Sequence, residues 1–242
     1  MKKIEVFIWS AINGLPSSSP FCLKVIAALR YKQIEHQITV VDRPPSWLKR
    51  GKLPAIKIDD QIVEDSTNIL KLLDEIAPSR ALLYPNEEKK RAETLLLEDW
   101  SDESLYWFLV YSRWAIPEHF NQFKVVAFKN LPAPLRPIIP TLIRQKVLKR
   151  LESQGIAQVP SSERLNRFQE ACWCLEQKLS DHSFLICETI TAADLAVFSI
   201  LQIIKQSQLH DLSVVLSDCS LLTQWLDKID TTLNQMALAT PC

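Results

Sequence analysis

Leu53-Pro54-Ala55-Ile56-Lys57-Ile58, then Asp59-Asp60, then Gln61-Ile62-Val63, then Glu64-Asp65-Ser66-Thr67-Asn68-Ile69: this stretch decides the fold. Residues 54–58 are rich in β-formers, Asp59-Asp60 is a tight-turn pair, and 61–63 returns as a second strand, so a hairpin is expected. Asp65 or Ser66 then caps a helix running to about Ile76. Working back toward the N-terminus, 4–9 (Ile-Glu-Val-Phe-Ile-Trp) reads as a strand and 10–19 as a loop of Asn, Gly, Pro and Ser. Ser19 precedes Pro20, a cap followed by proline at the first helical position, and opens a helix over 20–31. Residues 36–41 are a further strand, and 46–50 form at most a short helix after Arg43-Pro44-Pro45. The order is βαβ followed by ββα.

Working forward, the periodicity changes after Pro78. The segment 78–85 reads as a linker between a domain of 1–77 and an all-helical domain of 86–242. Helical spacing is found at 86–114, 118–130, 135–154, 161–181, 191–207 and 220–236. Thr191-x-x-Asp194 is a capping box with aspartate in the glutamate position, and the run from Leu195 to Ile204 is apolar nearly all round, so that helix is expected to be buried. Trp100, Trp107 and Trp114 recur every seven residues and fall on one face of an uninterrupted helix.

Composition narrows the chemistry. The 242 residues carry 28 basic and 28 acidic side chains, so no overall positive field exists to hold a nucleic acid. A local group, Arg144, Lys146, Lys149 and Arg150, reads as a solvated helix face. Only Gly14, Gly51 and Gly155 occur, so no glycine-rich phosphate loop can be written. The four histidines lack metal-ligand spacing, and no metal is expected. The six cysteines form no spaced framework and are expected to be reduced and mostly buried. The apolar run at 4–9 is short for a secretory segment and no stretch reaches the ~20 apolar residues of a membrane span, so the expectation is a cytoplasmic protein.

Four motifs together resemble the glutathione transferases. Ser19-Pro20-Phe21-Cys22-Leu23-Lys24-Val25 resembles the start of their first helix, and Lys52-Leu53-Pro54-Ala55-Ile56 their cis-proline segment. Glu64-Asp65-Ser66-Thr67-Asn68-Ile69 looks like their Glu/Asp-Ser-x-x-Ile motif, and Thr191 to Ala196 like the cap of their central buried helix. Glu98-Asp99-Trp100, Leu105-Tyr106-Trp107, Arg113-Trp114 and the 131–156 segment look like the metaxin and failed-axon-connections branch, which is not uniformly catalytic. The resemblance implies a thioredoxin-like α/β N-terminal domain, an all-α C-terminal domain, glutathione as co-substrate and a homodimer.

The residues suit that ligand. Asp65 can accept from the γ-glutamyl ammonium, and Ser66 can bind the carboxylate at a helix N-terminus, although both could serve only as caps. With a cis bond before Pro54, the backbone of Leu53 could pair with the cysteinyl unit as an added strand does. Lys52 could reach the glycyl carboxylate or stand in solvent. Ser19, at the position of the catalytic serine of Ser-Pro-Phe transferases, could donate to the thiol and favour its thiolate; Ser17 and Ser18 are close enough to substitute. Because serine stands where glutaredoxins and omega-like transferases have cysteine, a dithiol cycle across this motif is impossible, and Cys22 reads as a small core residue. Tyr106 and Tyr111 are candidates for a second-substrate pocket. Conjugation of glutathione to small hydrophobic electrophiles is the leading expectation; a non-catalytic binding or scaffold role and glutathione-dependent peroxide reduction are the alternatives.

Overall fold

The computed structural model describes residues 3–207 and 209–238, with side chains through 236. Strands β1 (Ile4–Ile8), β2 (Gln37–Val40), β3 (Ala55–Ile58) and β4 (Gln61–Glu64) form one mixed sheet in the order β2-β1-β3-β4. β1 runs parallel to β2 in the register Val6 to Ile38, and antiparallel to β3 in the register Val6 to Ile56. The hairpin closes at Ile58 opposite Gln61, with Asp59 at φ 52°. An aspartate tolerates that left-handed turn position better than most residues.

Helix α1 (Pro20–Tyr31) makes the crossover between β1 and β2, and α2 (Ser66–Ile76) follows the hairpin. The cap of α2 is Asp65. Residues 46–50 contain turns and no helix. The expected linker, 78–85, carries no helix or strand but is pinned to the body. Lys32 Nζ sits 2.7 Å from Asp74, whose carboxylate also accepts from the backbone N–H groups of Leu83 and Tyr84.

The remaining chain is helical: α3 (Glu88–Trp100), α4 (Tyr106–Ala115), α5 (Pro117–Ala127), α6 (Ile139–Gln154), α7 (Ser161–Asp181), α8 (Ala192–Gln206), α9 (His210–Ser217) and α10 (Ser220–Leu238). Every residue of α8 from Ala192 to Ile204 is buried, and α1 packs directly on it. The capping box forms as the spacing predicts: Asp194 accepts from the Thr191 N–H at 2.9 Å, and the Leu185 N–H adds a further bond at 2.8 Å.

Two readings are corrected. The helix expected over 86–114 is interrupted by a π turn at Ser101–Leu105. A turn closed by i→i+5 bonds holds one residue more than an α turn, so the faces before and after it are out of phase. Trp100 accordingly packs on the main core, while Trp107 and Trp114 join a smaller cluster with Leu151 and Ile156. The three tryptophans do not share a face. Arg144 is not a solvated member of a basic face either: it donates to the carbonyls of Trp114 and Ala115 and ties α6 to the end of α4. Lys146, Lys149 and Arg150 are exposed. Helix α9 was not anticipated; its eight residues are too few for periodicity to reveal.

Candidate active site

Three chain segments far apart in sequence meet at one cleft of about 760 Å³. Lys52, Leu53 and Pro54 enter it ahead of β3, Asp65 and Ser66 at the start of α2, and Phe21 from the first turn of α1. The Leu53–Pro54 bond is cis. Asp65 has φ 82°, a strained value for a residue with a side chain, which a functional demand can hold in place. Its carboxylate accepts from Asn68 N at 3.3 Å and from Arg50 Nη1 at 2.7 Å. Ser66 is nearly buried. All five sequence-predicted ligand residues therefore line this cleft.

The rest of the lining was not foreseen. It carries Glu98, Asp99, Asp102 and Glu103 from α3 and the π turn. Beneath it, Lys24 Nζ lies 2.7 Å from both Glu98 and Asp102, and Thr67 and Tyr84 donate to Glu98 at 2.9 Å and 2.8 Å. This buried network joins α1, α2 and α3 under the cleft. Burial raises the Asp102 carboxyl to about 6 while the Lys24 cation opposes the shift. Lys24 was quoted in the first motif, but a lysine in a helix reads as solvated until its neighbours are known.

Ser19 opens onto an adjoining apolar pocket of about 350 Å³. Tyr106, Leu109, Arg113, Trp114 and Phe123 also line it. Pro20 faces this pocket and Phe21 the larger cleft, so α1 begins at the partition between them. Ser19 caps α1, but its Oγ accepts from Cys22 N at a long 3.5 Å. Ser17 is fully buried, and its Oγ donates to Trp9 O at 2.9 Å. Ser18 lines the pocket beside Ser19. Burial raises the Cys22 thiol to about 11, which suits a core residue.

Of the two tyrosines, only Tyr106 lines this pocket; burial holds its hydroxyl above the usual range, with Arg113 and Arg150 pulling it back. Tyr111 lies away from both cavities, with the Arg164 guanidinium 3.6 Å from its ring centroid. Arg113 was quoted in a motif without a role. It stands seven residues after Tyr106, a helical spacing that places both on one face, and that was the available signal. Among the described residues, no group of three or more His, Cys, Asp or Glu is arranged to hold a metal ion.

With this geometry in view, the class is defined: the mixed sheet and the buried, capped helix α8 give the chain the glutathione transferase fold, and residues 20–119 match the family of glutathione S-transferase N-terminal domains. Among particular relatives, it is similar to the protein LigF of Sphingobium, 28% identical over 74% of this chain and 72% of that one. The solved structure of LigF, described as a beta-etherase, superposes with TM-score 0.64 at 22% identity, covering 96% of this chain and 98% of that one. Failed axon connections of Drosophila melanogaster is 27% identical over 87% of this chain, which spans about half of that longer protein (51%). Metaxin-3 of Xenopus laevis is 24% identical over 87% of this chain and 70% of its own length.

Proposed function

We propose that this chain is a glutathione transferase that conjugates the glutathione thiolate to small hydrophobic electrophiles. The observation that supports it best is the convergence of Lys52, Leu53, Pro54, Asp65 and Ser66 on one cleft that adjoins an apolar pocket carrying Ser19. In this reading Asp65 accepts from the γ-glutamyl ammonium. Ser66, at the positive end of α2, takes the γ-glutamyl carboxylate. The Leu53 backbone pairs with the cysteinyl unit, and Lys52 meets the glycyl carboxylate.

The sulfur then lies at the partition, against Ser19. The Ser19 hydroxyl donates to it and favours the thiolate, while the thiol proton passes to solvent. The thiolate attacks an electrophilic carbon held in the apolar pocket; a C–S bond forms and the leaving group departs with its electron pair. Proximity of the two reactants supplies much of the acceleration. The cap bond is compatible with this role, because the Ser19 oxygen accepts from Cys22 N and its O–H stays available to donate.

A second reading has its own support. The likeness to Failed axon connections covers 87% of this chain, and it favours a glutathione-binding module without turnover. Titration calorimetry with glutathione, and turnover of 1-chloro-2,4-dinitrobenzene by wild type and Ser19→Ala, separate the two. Binding with turnover that depends on Ser19 is expected. Binding without turnover across a panel of electrophiles favours the module, and no binding at millimolar glutathione removes both.

A further inference from the structure

We infer that the apolar pocket beside Ser19 takes a ligand bearing a carboxylate on an apolar body, anchored by Arg113. The inference deepens the reading above by naming the class of second substrate, and it rests on that reading for what the ligand is used for.

Arg113 is only 6% exposed, yet it enters no ion pair among the described residues. Its Nη1 donates to the Ser18 carbonyl at 2.9 Å, and its guanidinium carbon lies 4.8 Å from the Phe123 ring centroid. Nε and Nη2 are buried with no hydrogen-bond partner. The other buried cations are provided for. Lys24 and Lys32 each have a carboxylate at 2.7 Å. Arg164 lacks one, but it donates to Val159 O and leaves no nitrogen buried and unbonded.

Burial lowers Arg113 to about 10, so it remains a cation at neutral pH. A buried charge with two unmet donors is costly, and an anion brought to it recovers that cost. Nε–H and Nη2–H lie on the same edge of the guanidinium plane. That edge matches the two oxygens of a carboxylate with parallel hydrogen bonds. Arg113 lines this pocket and also a neighbouring cavity with Ile12, His119 and Gln122; of the two, the pocket with Leu109, Val110 and Trp114 suits an apolar body. Asp42 supplies the wall's carboxylate, and its Oδ1 accepts from Asn130 at 2.9 Å.

The test compares 2-naphthoate with 2-naphthamide, which share shape and differ in charge, by quenching of tryptophan fluorescence without glutathione. Wild type is expected to bind the acid at least tenfold more tightly than the amide. Arg113→Met should bring the two within about twofold, with amide affinity held. Arg113→Lys keeps the charge and loses the fork, so the preference should fall at least threefold; this variant carries the test if Arg113→Met does not fold. Equal binding of acid and amide by wild type overturns the proposal, as does a preference that survives unchanged in either variant. Failure to bind glutathione would sink the transferase reading and leave this comparison intact.

Discussion

The rings of Phe21 and Tyr106 meet with centroids 4.8 Å apart, Phe21 on the wall of the larger cleft and Tyr106 on that of the apolar pocket. This contact joins the first turn of α1 to the first turn of α4 at the partition between the cavities. Removing the Tyr106 hydroxyl keeps the contact; removing the ring does not. Tyr106→Phe is therefore expected to hold KM for the electrophile within about twofold, and Tyr106→Ala to raise it roughly tenfold through lost packing. Steady-state kinetics with glutathione saturating checks this. A large fall in kcat for Tyr106→Phe alone would instead assign the hydroxyl a chemical role.

Ser19 has two employments that separate in measurement. As a cap it makes one bond at 3.5 Å, so Ser19→Ala is expected to cost less than about 1 kcal/mol of stability. As the donor to a thiolate, the same change is expected to lower kcat/KM roughly tenfold to a hundredfold, and to raise the thiol pKa of bound glutathione. Denaturant melts and the thiolate absorbance across pH read the two effects independently.

The Lys24 network should respond to mutation and to pH. Lys24→Met strands Glu98 and Asp102 as buried, unpaired carboxylates, with an expected loss of about 3–5 kcal/mol in urea unfolding. Asp102 holds its proton up to about pH 6 in the folded protein, against an ordinary value of 3.8. The folded state therefore binds that proton more tightly. Its contribution to stability is full below about pH 3.8 and is lost as pH rises through about 6. The stability difference between wild type and Asp102→Asn should fall over that window; a difference that stays flat from pH 4 to 7 would exclude Asp102 as the source.

Asp194 is fully buried and accepts from the Thr191 N–H and hydroxyl and from the Leu185 N–H. Asp194→Ala leaves those donors unmet beneath the central helix, and a loss of at least about 3 kcal/mol is expected. Any fall in turnover should follow the folded fraction, which circular dichroism and activity measured on the same samples will show.

What the sequence disclosed was what local chemistry controls. Ser19-Pro20, Asp59-Asp60, Asp65 and Thr191-x-x-Asp194 each direct their own backbone, and the elements they start or stop stand within a residue or two of expectation. The five residues on the larger cleft were legible because each sits at such a punctuation point. The π turn was not: a five-residue change of helical pitch leaves no breaker residue behind. Lys24, Glu98 and Asp102 were silent for another reason. Lys24 lies on α1, away from Glu98 and Asp102 on α3 and the π turn, and only tertiary packing shows that the three share charge. Arg113 was on the page, but an arginine between tyrosine and tryptophan does not announce that it lacks an anion.

The π turn at Ser101–Leu105 sets the phase of everything downstream on α4. One residue of α-helix is about 100° of rotation. Deleting a single residue from this turn would let it close as an ordinary α turn, with Trp100 and the row from Tyr106 to Arg113 keeping their seats. The turn thus works as a slack link: it absorbs one surplus residue of about 100° within a single turn, so that the row carrying Tyr106 and Arg113 still looks into the pocket.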